Sequence, residues 1–209
     1  KMWLDMTGIA AVPLPTDAEL LPVAAEAEAR ITTRTRAIVL VTPNNPGGVE
    51  YPADLVAAFH ALARRHGLAL ILDETYRDFD SRPAPPHDLF AQDGWDDTLI
   101  HLYSFSKAYR LTGHRVGALV TSPARLAEVE KFLDTMAICP NQLAQRAALW
   151  GMRNLDDWLA GQRAEILDRR AAIEEGFARL PGWRLLGAGA YFAYVEHPFA
   201  TASDDLCKT

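Results

Sequence analysis

Two short apolar runs separated by a helical pattern constrain this chain more than any other feature. Residues Ala37–Thr42 and Leu68–Asp73 are continuous apolar runs, the pattern of strands that are buried on both faces. Between them, apolar residues repeat at helical spacing over Leu55–Ala63, and Gly67 suits the position just after a helix. Residues 37–73 therefore predict one β-α-β unit, whose right-handed crossover makes the two strands parallel.

The rest of the chain continues this alternation. Two more buried strands are predicted at Thr98–Ser104 and Val116–Thr121. Near the start, we expect a strand around Ile9–Leu14 and a helix after the capping-box pattern Thr16–Glu19. The second half predicts three helices and two strands, at 122–136, 141–152, 154–180, 184–186 and 191–195.

These elements predict an α/β fold with a mostly parallel sheet and flanking helices. We expect a division near residue 150. Residues 1–150 would form a large domain that is incomplete at its N-terminus. Residues 151–209 would form a long linking helix and the start of a smaller α/β domain. The chain opens without a signal peptide and stops without a closing element, so we expect an internal fragment of a longer protein.

Composition argues against several classes of function. The formal net charge of −6, without a basic stripe, argues against nucleic-acid binding, and the apolar runs are too short to span a membrane. The two cysteines, Cys139 and Cys207, make neither a disulfide framework nor a zinc pattern, and the histidines are scattered. We therefore expect a cytoplasmic protein without a metal site.

Distinctive polar residues follow three of the predicted strands. These segments are Asn44-Asn45, Asp73–Tyr76 and Ser104–Lys107, and Arg115 lies soon after the last. Because the carboxyl ends of parallel strands meet at one edge of a sheet, these groups should converge there. A buried amine condenses with an aldehyde, a carboxylate pairs with a cationic ring nitrogen, and serines with an arginine hold a phosphate. Together these groups suit pyridoxal 5′-phosphate (PLP).

Three stretches of the chain resemble the signature motifs of class I/II aminotransferases, which are fold type I PLP-dependent enzymes. The order of the stretches also matches the family. They are Val41-Thr-Pro-Asn-Asn-Pro-Gly-Gly48, Leu72-Asp-Glu-Thr-Tyr76, and Ser104-Phe-Ser-Lys107 followed, after seven intervening residues, by Arg115-Val-Gly117.

The resemblance implies a role for each residue. Lys107 would form the internal aldimine with PLP and shuttle the proton between the substrate α-carbon and the cofactor. Asp73 would keep the pyridine nitrogen protonated, and Asn45 and Tyr76 would hydrogen-bond the phenolic oxygen. The phosphate would be held by three side chains, those of Ser104, Ser106 and Arg115.

The implied function is an aminotransferase of amino-acid metabolism. It would move an amino group between an amino acid and a 2-oxo acid by ping-pong chemistry, as a cytoplasmic homodimer. Gly47 and Thr112 stand where the family often has threonine and proline, which bears on loop shape. Tyr191-Phe192 resembles the opening of the family's small-domain sheet. The family's N-terminal phosphate loop, ring-stacking aromatic and carboxylate-binding arginine have no counterpart in the sequence.

Three alternatives remain open from the sequence. Another fold type I PLP enzyme, such as a C–S lyase or decarboxylase, would use the same cofactor-holding residues. A non-catalytic, PLP-sensing regulator module would share them too. Ser104–Lys107 also fits the S-x-x-K motif of serine β-lactamases, with Ser203-Asp-Asp205 but without a K-T-G partner.

Overall fold

A four-stranded sheet forms the centre of the computed structural model, which describes residues 2–83 and 85–208. Its strands are β1 (Ala37–Val41), β2 (Ala69–Asp73), β3 (Leu99–Ser104) and β4 (Gly117–Val120), in the spatial order β1-β2-β3-β4. The first three strands are parallel, and β4 runs antiparallel to β3. The predicted α/β fold with a mostly parallel sheet is confirmed.

The fourth strand differs from its prediction in burial. Gly117 and Val120 are exposed, whereas a strand buried on both faces was expected. The reason is position, because β4 lies at the end of the described strand order and has one neighbour, β3.

Helices flank this sheet and continue beyond it. They are α1 (Met2–Met6), α2 (Ala24–Glu28), α3 (Ala53–Arg65), α4 (Pro123–Met136), α5 (Gln142–Asn154), α6 (Asp156–Ala178) and α7 (Ser203–Leu206). Helix α3 connects β1 to β2, so the predicted β-α-β unit is confirmed. Pro52 is the N-cap of α3, and Gly67 follows the helix with a φ of 63° that glycine adopts without strain.

The main core lies between α3 and the sheet. Val56, Phe59 and Leu62 lie on one face of α3 and are almost completely buried. They pack with Leu70 and Leu99, which are buried on β2 and β3. At about 1.5–3 kcal/mol for each large apolar side chain, this contact accounts for much of the stability of the parallel unit.

The predicted N-terminal strand is absent, and the predicted helix begins later than the capping-box pattern indicated. Residues 9–14 form no strand, and Ile9 and Val12 are exposed. The Thr16–Glu19 segment forms a turn instead of a helix start, because Asp17 Oδ1 accepts hydrogen bonds from the backbone N–H groups of Glu19 and Leu21. Helix α2 begins only at Ala24.

A two-stranded antiparallel hairpin follows α6. It consists of β5 (Arg184–Gly189), which is longer than the predicted strand, and β6 (Phe192–Glu196), which is shifted by one residue from its prediction. Its tip lies directly on the proline- and glycine-rich turn after β1, since a Cβ added to Gly189 would collide with the carbonyl oxygen of Gly48. This backbone contact places the hairpin tip beside the carboxyl edge of the sheet.

Candidate active site

The polar segments leave β1, β2 and β3 at one edge of the sheet. Val41 pairs with Asp73, and Asp73 pairs with Leu102. Two backbone hydrogen bonds continue the pairing past the strand ends, from Thr42 N to Asp73 O (3.0 Å) and from Glu74 N to Leu102 O (2.9 Å). The three segments named from the sequence therefore start side by side.

Lys107 and Tyr76 are neighbours at this edge. The Nζ atom of Lys107 lies 5.5 Å from the centroid of the Tyr76 ring, a favourable position for a cation. Tyr76 is 6% exposed, and the ring centroids of Phe192 and Tyr191 lie 5.1 and 5.7 Å from its own. The hairpin tip thus buries Tyr76, while Lys107 stays half-buried.

Asp73 is the last residue of β2 and is half-buried. Its Oδ1 atom accepts hydrogen bonds from the backbone N–H of Thr75 (3.0 Å) and from the Thr75 hydroxyl (2.6 Å). These two donors belong to the same turn as Asp73, so they fix the carboxylate orientation without a distant partner.

The two asparagines after β1 have different surroundings. Asn44 stabilises the turn, because its Oδ1 accepts from Gly47 N (2.9 Å) and its Nδ2 donates to the Tyr51 hydroxyl (3.1 Å). Asn45 is exposed. A Cβ at Gly47 would lie 2.9 Å from Asn44 Oδ1, so a larger residue there would require the Asn44 side chain to shift.

The loop after β3 brings Ser104, Ser106 and Arg115 together. The backbone N–H of Ser106 donates to Ser104 Oγ (3.3 Å), and the Arg115 guanidinium lies 3.5 Å from the buried Ser106 hydroxyl. The Thr112 hydroxyl closes the loop by donating to Ser106 O (2.8 Å), a bond that proline at this position could not make. Arg115 has a φ of 51°, a strained conformation of the kind that clusters at functional sites.

The same loop overturns the β-lactamase alternative. That motif requires a helix to begin at the serine, whereas Ser104 ends β3 and the residues after it form turns. Backbone hydrogen bonds from Phe105 to Val116 O and from Leu111 to Phe105 O hold these turns.

Sequence reasoning missed a buried cluster around Glu74, which is 0% exposed. His101 Nε2 and the Arg77 guanidinium lie 2.9 and 3.2 Å from Glu74 Oε2, and His87 Nε2 lies 3.3 Å from Oε1. Burial by itself raises the pKa of Glu74, but the hydrogen bonds from the histidines and the charge of Arg77 outweigh it and lower the pKa to about 2. The signal for its burial was the alternation of Leu70, Leu72 and Glu74 along one face.

A second missed contact joins two residues that flank the polar segments. The Tyr103 hydroxyl donates to Asp78 Oδ2 at 2.5 Å. Burial, the Asp78 charge and this hydrogen bond all raise the pKa of Tyr103 far above its ordinary value, so the hydroxyl remains a donor. No local sequence pattern indicated this pair, because the two residues lie 25 positions apart.

The sequence model of the family described as "Aminotransferase class I and II" matches residues 6–208. The chain belongs to this family. It is 35% identical to the alanine aminotransferase of Mycobacterium tuberculosis (strain H37Rv) over 83% of this chain and 42% of that protein. It is 33% identical to an arginine–pyruvate transaminase of Pseudomonas aeruginosa, over 90% of this chain and 49% of the relative.

Solved aminotransferase structures share the fold. The N-succinyldiaminopimelate aminotransferase of M. tuberculosis superposes with a TM-score of 0.80 at 26% identity, covering 90% of this chain and 50% of that one. The alanine aminotransferase of Pyrococcus furiosus gives 0.80 at 25%, covering 96% and 52%. The chain therefore spans about half the length of the relatives that it matches.

Two kinds of feature are absent from the part of the chain that the structure describes. None of its helices is long and apolar enough to cross a bilayer. Over the same residues, 2–83 and 85–208, no three histidine, cysteine or carboxylate side chains are grouped so that they could hold a metal ion.

Proposed function

We propose that this chain carries the cofactor site of a PLP-dependent aminotransferase, which moves an amino group between an amino acid and a 2-oxo acid. One observation carries the proposal. The Lys107 amine lies over the Tyr76 ring at the edge of the sheet where Asp73 and the Ser106–Arg115 pair also lie. Membership of the aminotransferase family supports it.

The residues present fit PLP. The Arg115 guanidinium and the Ser106 hydroxyl form a cationic, hydrogen-bonding pair for a phosphate. Asp73 offers a carboxylate that is oriented by a hydrogen bond within its own turn. The turn after β1 is stabilised by Asn44, and the neighbouring Asn45 is exposed. When bound, PLP supplies an electron sink for the negative charge that develops at the substrate α-carbon.

Each side chain then has a definite task. When PLP is bound, Lys107 Nζ would hold it covalently and would carry the proton to and from the substrate α-carbon. The Asp73 carboxylate would hold the proton on the ring nitrogen, and Asn45 and Tyr76 would donate hydrogen bonds to the phenolic oxygen. Ser104, Ser106 and Arg115 would hold the phosphate. The hairpin tip, with Tyr191 and Phe192 against Tyr76, excludes water from one side of this edge.

We further propose that the protein acts as a cytoplasmic homodimer, with a domain division near residue 150. Large apolar side chains are exposed on α4 and α5, among them Phe132, Leu143 and Trp150, which supports association. Light scattering coupled to size-exclusion chromatography on the full-length protein would measure the oligomeric state, and a monomer would contradict this part of the proposal.

Cofactor binding is tested by absorption. Full-length protein purified with PLP should be yellow, with a visible band that borohydride removes, and Lys107→Ala should abolish this band. Lys131→Ala is the matched control, because the Lys131 side chain is 70% exposed and pairs with Glu128 on α4. A wild-type protein that stays colourless with added PLP would falsify the proposed function.

The reaction type is tested with single substrates. Incubation with candidate amino acids and without a 2-oxo acid should convert the visible band to a pyridoxamine-like one, because half of a transamination is complete at that stage. Release of ammonia or carbon dioxide would instead favour a lyase or a decarboxylase. A protein that binds PLP and converts no amino acid would favour the regulator module.

A further inference from the structure

The hydrogen bond between Tyr103 and Asp78 joins the two segments that carry Tyr76 and Lys107. Tyr103 lies on β3, four residues before Lys107. Asp78 lies in a short 3₁₀ helix, Arg77–Phe79, whose N-cap is Tyr76 itself. The 2.5 Å bond is therefore a direct link between the end of β3 and the turn that begins at Tyr76.

On the Lys107 side, the link continues through aromatic packing. The centroid of the Tyr103 ring lies 5.1 Å from that of Phe105 and 6.5 Å from that of Tyr109, and the Phe105 and Tyr109 centroids lie 5.2 Å apart. Tyr109 packs closely on α5, since a Cβ at Gly151 would lie 2.9 Å from its ring. Residues on both sides of Lys107 in the chain are thus held by one aromatic cluster that includes Tyr103.

On the Tyr76 side, the link continues to the hairpin tip. Phe79 N donates to Tyr76 O (3.0 Å), and the Phe79 ring lies 5.0 Å from Tyr191, which in turn contacts Tyr76. The Asp78 carboxylate is also close enough to act on the neighbouring phenols. Burial first and the Asp78 charge second raise the pKa of Tyr109.

We propose that Asp78 and Tyr103 are positioning residues that hold Lys107 Nζ in place against the Tyr76 ring. This inference rests on the proposed function, because its consequence is tight and correctly oriented PLP. The Tyr103 hydroxyl donates to an ionised carboxylate, and such charge-assisted bonds are stronger than neutral ones. If the bond is lost, the end of β3 and the turn after β2 keep their packing and backbone pairing but lose a side-chain contact that helps to fix their relative position.

The test measures PLP release from the full-length protein. Tyr103→Phe removes the hydroxyl and keeps the ring, and Asp78→Ala removes the acceptor. Each should speed PLP release about tenfold, and the double variant should be no faster than either single one, because all three lack the same bond. Asp78→Asn retains an acceptor oxygen but only for a weaker, neutral bond, so it should speed PLP release less than Asp78→Ala does. Tyr194→Phe, on the exposed side of β6, is the matched control.

A second readout needs no cofactor. In the PLP-free protein, an amine-reactive acylating reagent labels Lys107, and peptide mass spectrometry compares its rate with that of Lys131. Tyr103→Phe and Asp78→Ala should change the Lys107-to-Lys131 ratio at least about threefold, because Lys107 leaves its fixed position over Tyr76. Tyr194→Phe should leave the ratio unchanged, and Asp78→Asn should change it less than Asp78→Ala does.

The outcomes separate the two proposals. Folded variants that release PLP and label Lys107 as the wild type does would overturn the positioning role, even if they melt at lower temperature. If Tyr103→Phe does not fold, the contrast between Asp78→Ala and Asp78→Asn decides. If the wild type binds no PLP, the proposed function fails, and the labelling ratio alone decides whether Asp78 and Tyr103 position Lys107.

Discussion

Asp73 and Glu74 are adjacent carboxylates at the end of β2, and they lie in contrasting surroundings. Glu74 is 0% exposed and is surrounded by His101, His87 and Arg77. Asp73 is half-buried and accepts its hydrogen bonds from Thr75, within its own turn. This contrast indicates which carboxylate serves the fold and which is available to a ligand.

The surroundings of Glu74 and Asp73 also differ in their neighbouring side chains. Around Glu74, the Phe90 ring packs on both His87 and His101, so the cluster fastens the long loop between β2 and β3 to the sheet. Around Asp73, the neighbouring segments carry Lys107, Tyr76 and the Ser106–Arg115 pair. A charge that is compensated internally mainly secures the fold, whereas we propose that the charged groups beside Asp73 serve ligand binding.

The largest expected effect is on stability, through Glu74. Glu74→Ala leaves the Arg77 guanidinium and two histidines without their anion, and such a loss typically costs about 3–5 kcal/mol of unfolding free energy. Urea unfolding followed by tryptophan fluorescence measures it. Glu128→Ala, which removes an exposed partner of Lys131, should cost less than about 1 kcal/mol. Equal costs for Glu74→Ala and Glu128→Ala would contradict the structural role given to Glu74.

The second effect is on the pH dependence of stability. Because the pKa of Glu74 is lowered from 4.5 to about 2 in the folded state, its contribution is complete above pH 4.5 and is lost as the pH falls towards 2. The difference between these pKa values corresponds to about 3 kcal/mol. The unfolding free energy of the wild type should fall over this window, and that of Glu74→Gln should fall less. Parallel curves for the two proteins would contradict the assignment.

The third effect is on catalysis, through Asp73. Asp73→Asn should lower the transamination rate of the full-length protein about 100-fold, equivalent to about 2.7 kcal/mol, because it removes the charge that holds the ring-nitrogen proton. The unfolding free energy should change by less than about 1 kcal/mol, since the oxygen of the substituted amide can still accept from Thr75. Rate and stability are measured on the same preparation. A variant that loses stability and keeps its rate would reverse the roles given to the two carboxylates.

The smallest effect is in the loop that carries Arg115. Thr112→Val removes the bond to Ser106 O and should cost about 1 kcal/mol, seen as a dissociation constant for PLP raised about fivefold. Thr7→Val, which removes an exposed side-chain bond to Leu4 O far along the chain, is the control. Unchanged affinity in Thr112→Val would show that the Ser106–Arg115 pair is held by its other contacts alone.

Local patterns predicted much of the fold. The apolar runs located β1, β2 and β3 to within about one residue of their observed ends. The helix predicted at 122–136 forms as α4, and Ser122 is its N-cap, since its hydroxyl accepts from Arg125 N (3.4 Å). The errors fell near the N-terminus, where a local pattern fitted more than one structure. Ile9–Leu14 has apolar residues and no packed strand partner, and Asp17 formed a turn where a helix cap was expected.

The candidate site likewise has features that the sequence predicted and features that only the folded chain determined. The sequence alone predicted which polar residues follow the parallel strands, because strand pattern and chain order are local properties. These residues are asparagine, aspartate, tyrosine, lysine and serine. The resemblance to the family had already selected Asp73 and Asn45. The folded chain adds that Glu74 is completely buried and Asn44 is bonded within its turn, whereas Asp73 is half-buried and Asn45 is exposed. Folding also placed Lys107 over Tyr76 and joined Tyr103 to Asp78. These contacts cross 25 residues or more of chain and depend on how strands and loops pack, which no local pattern encodes.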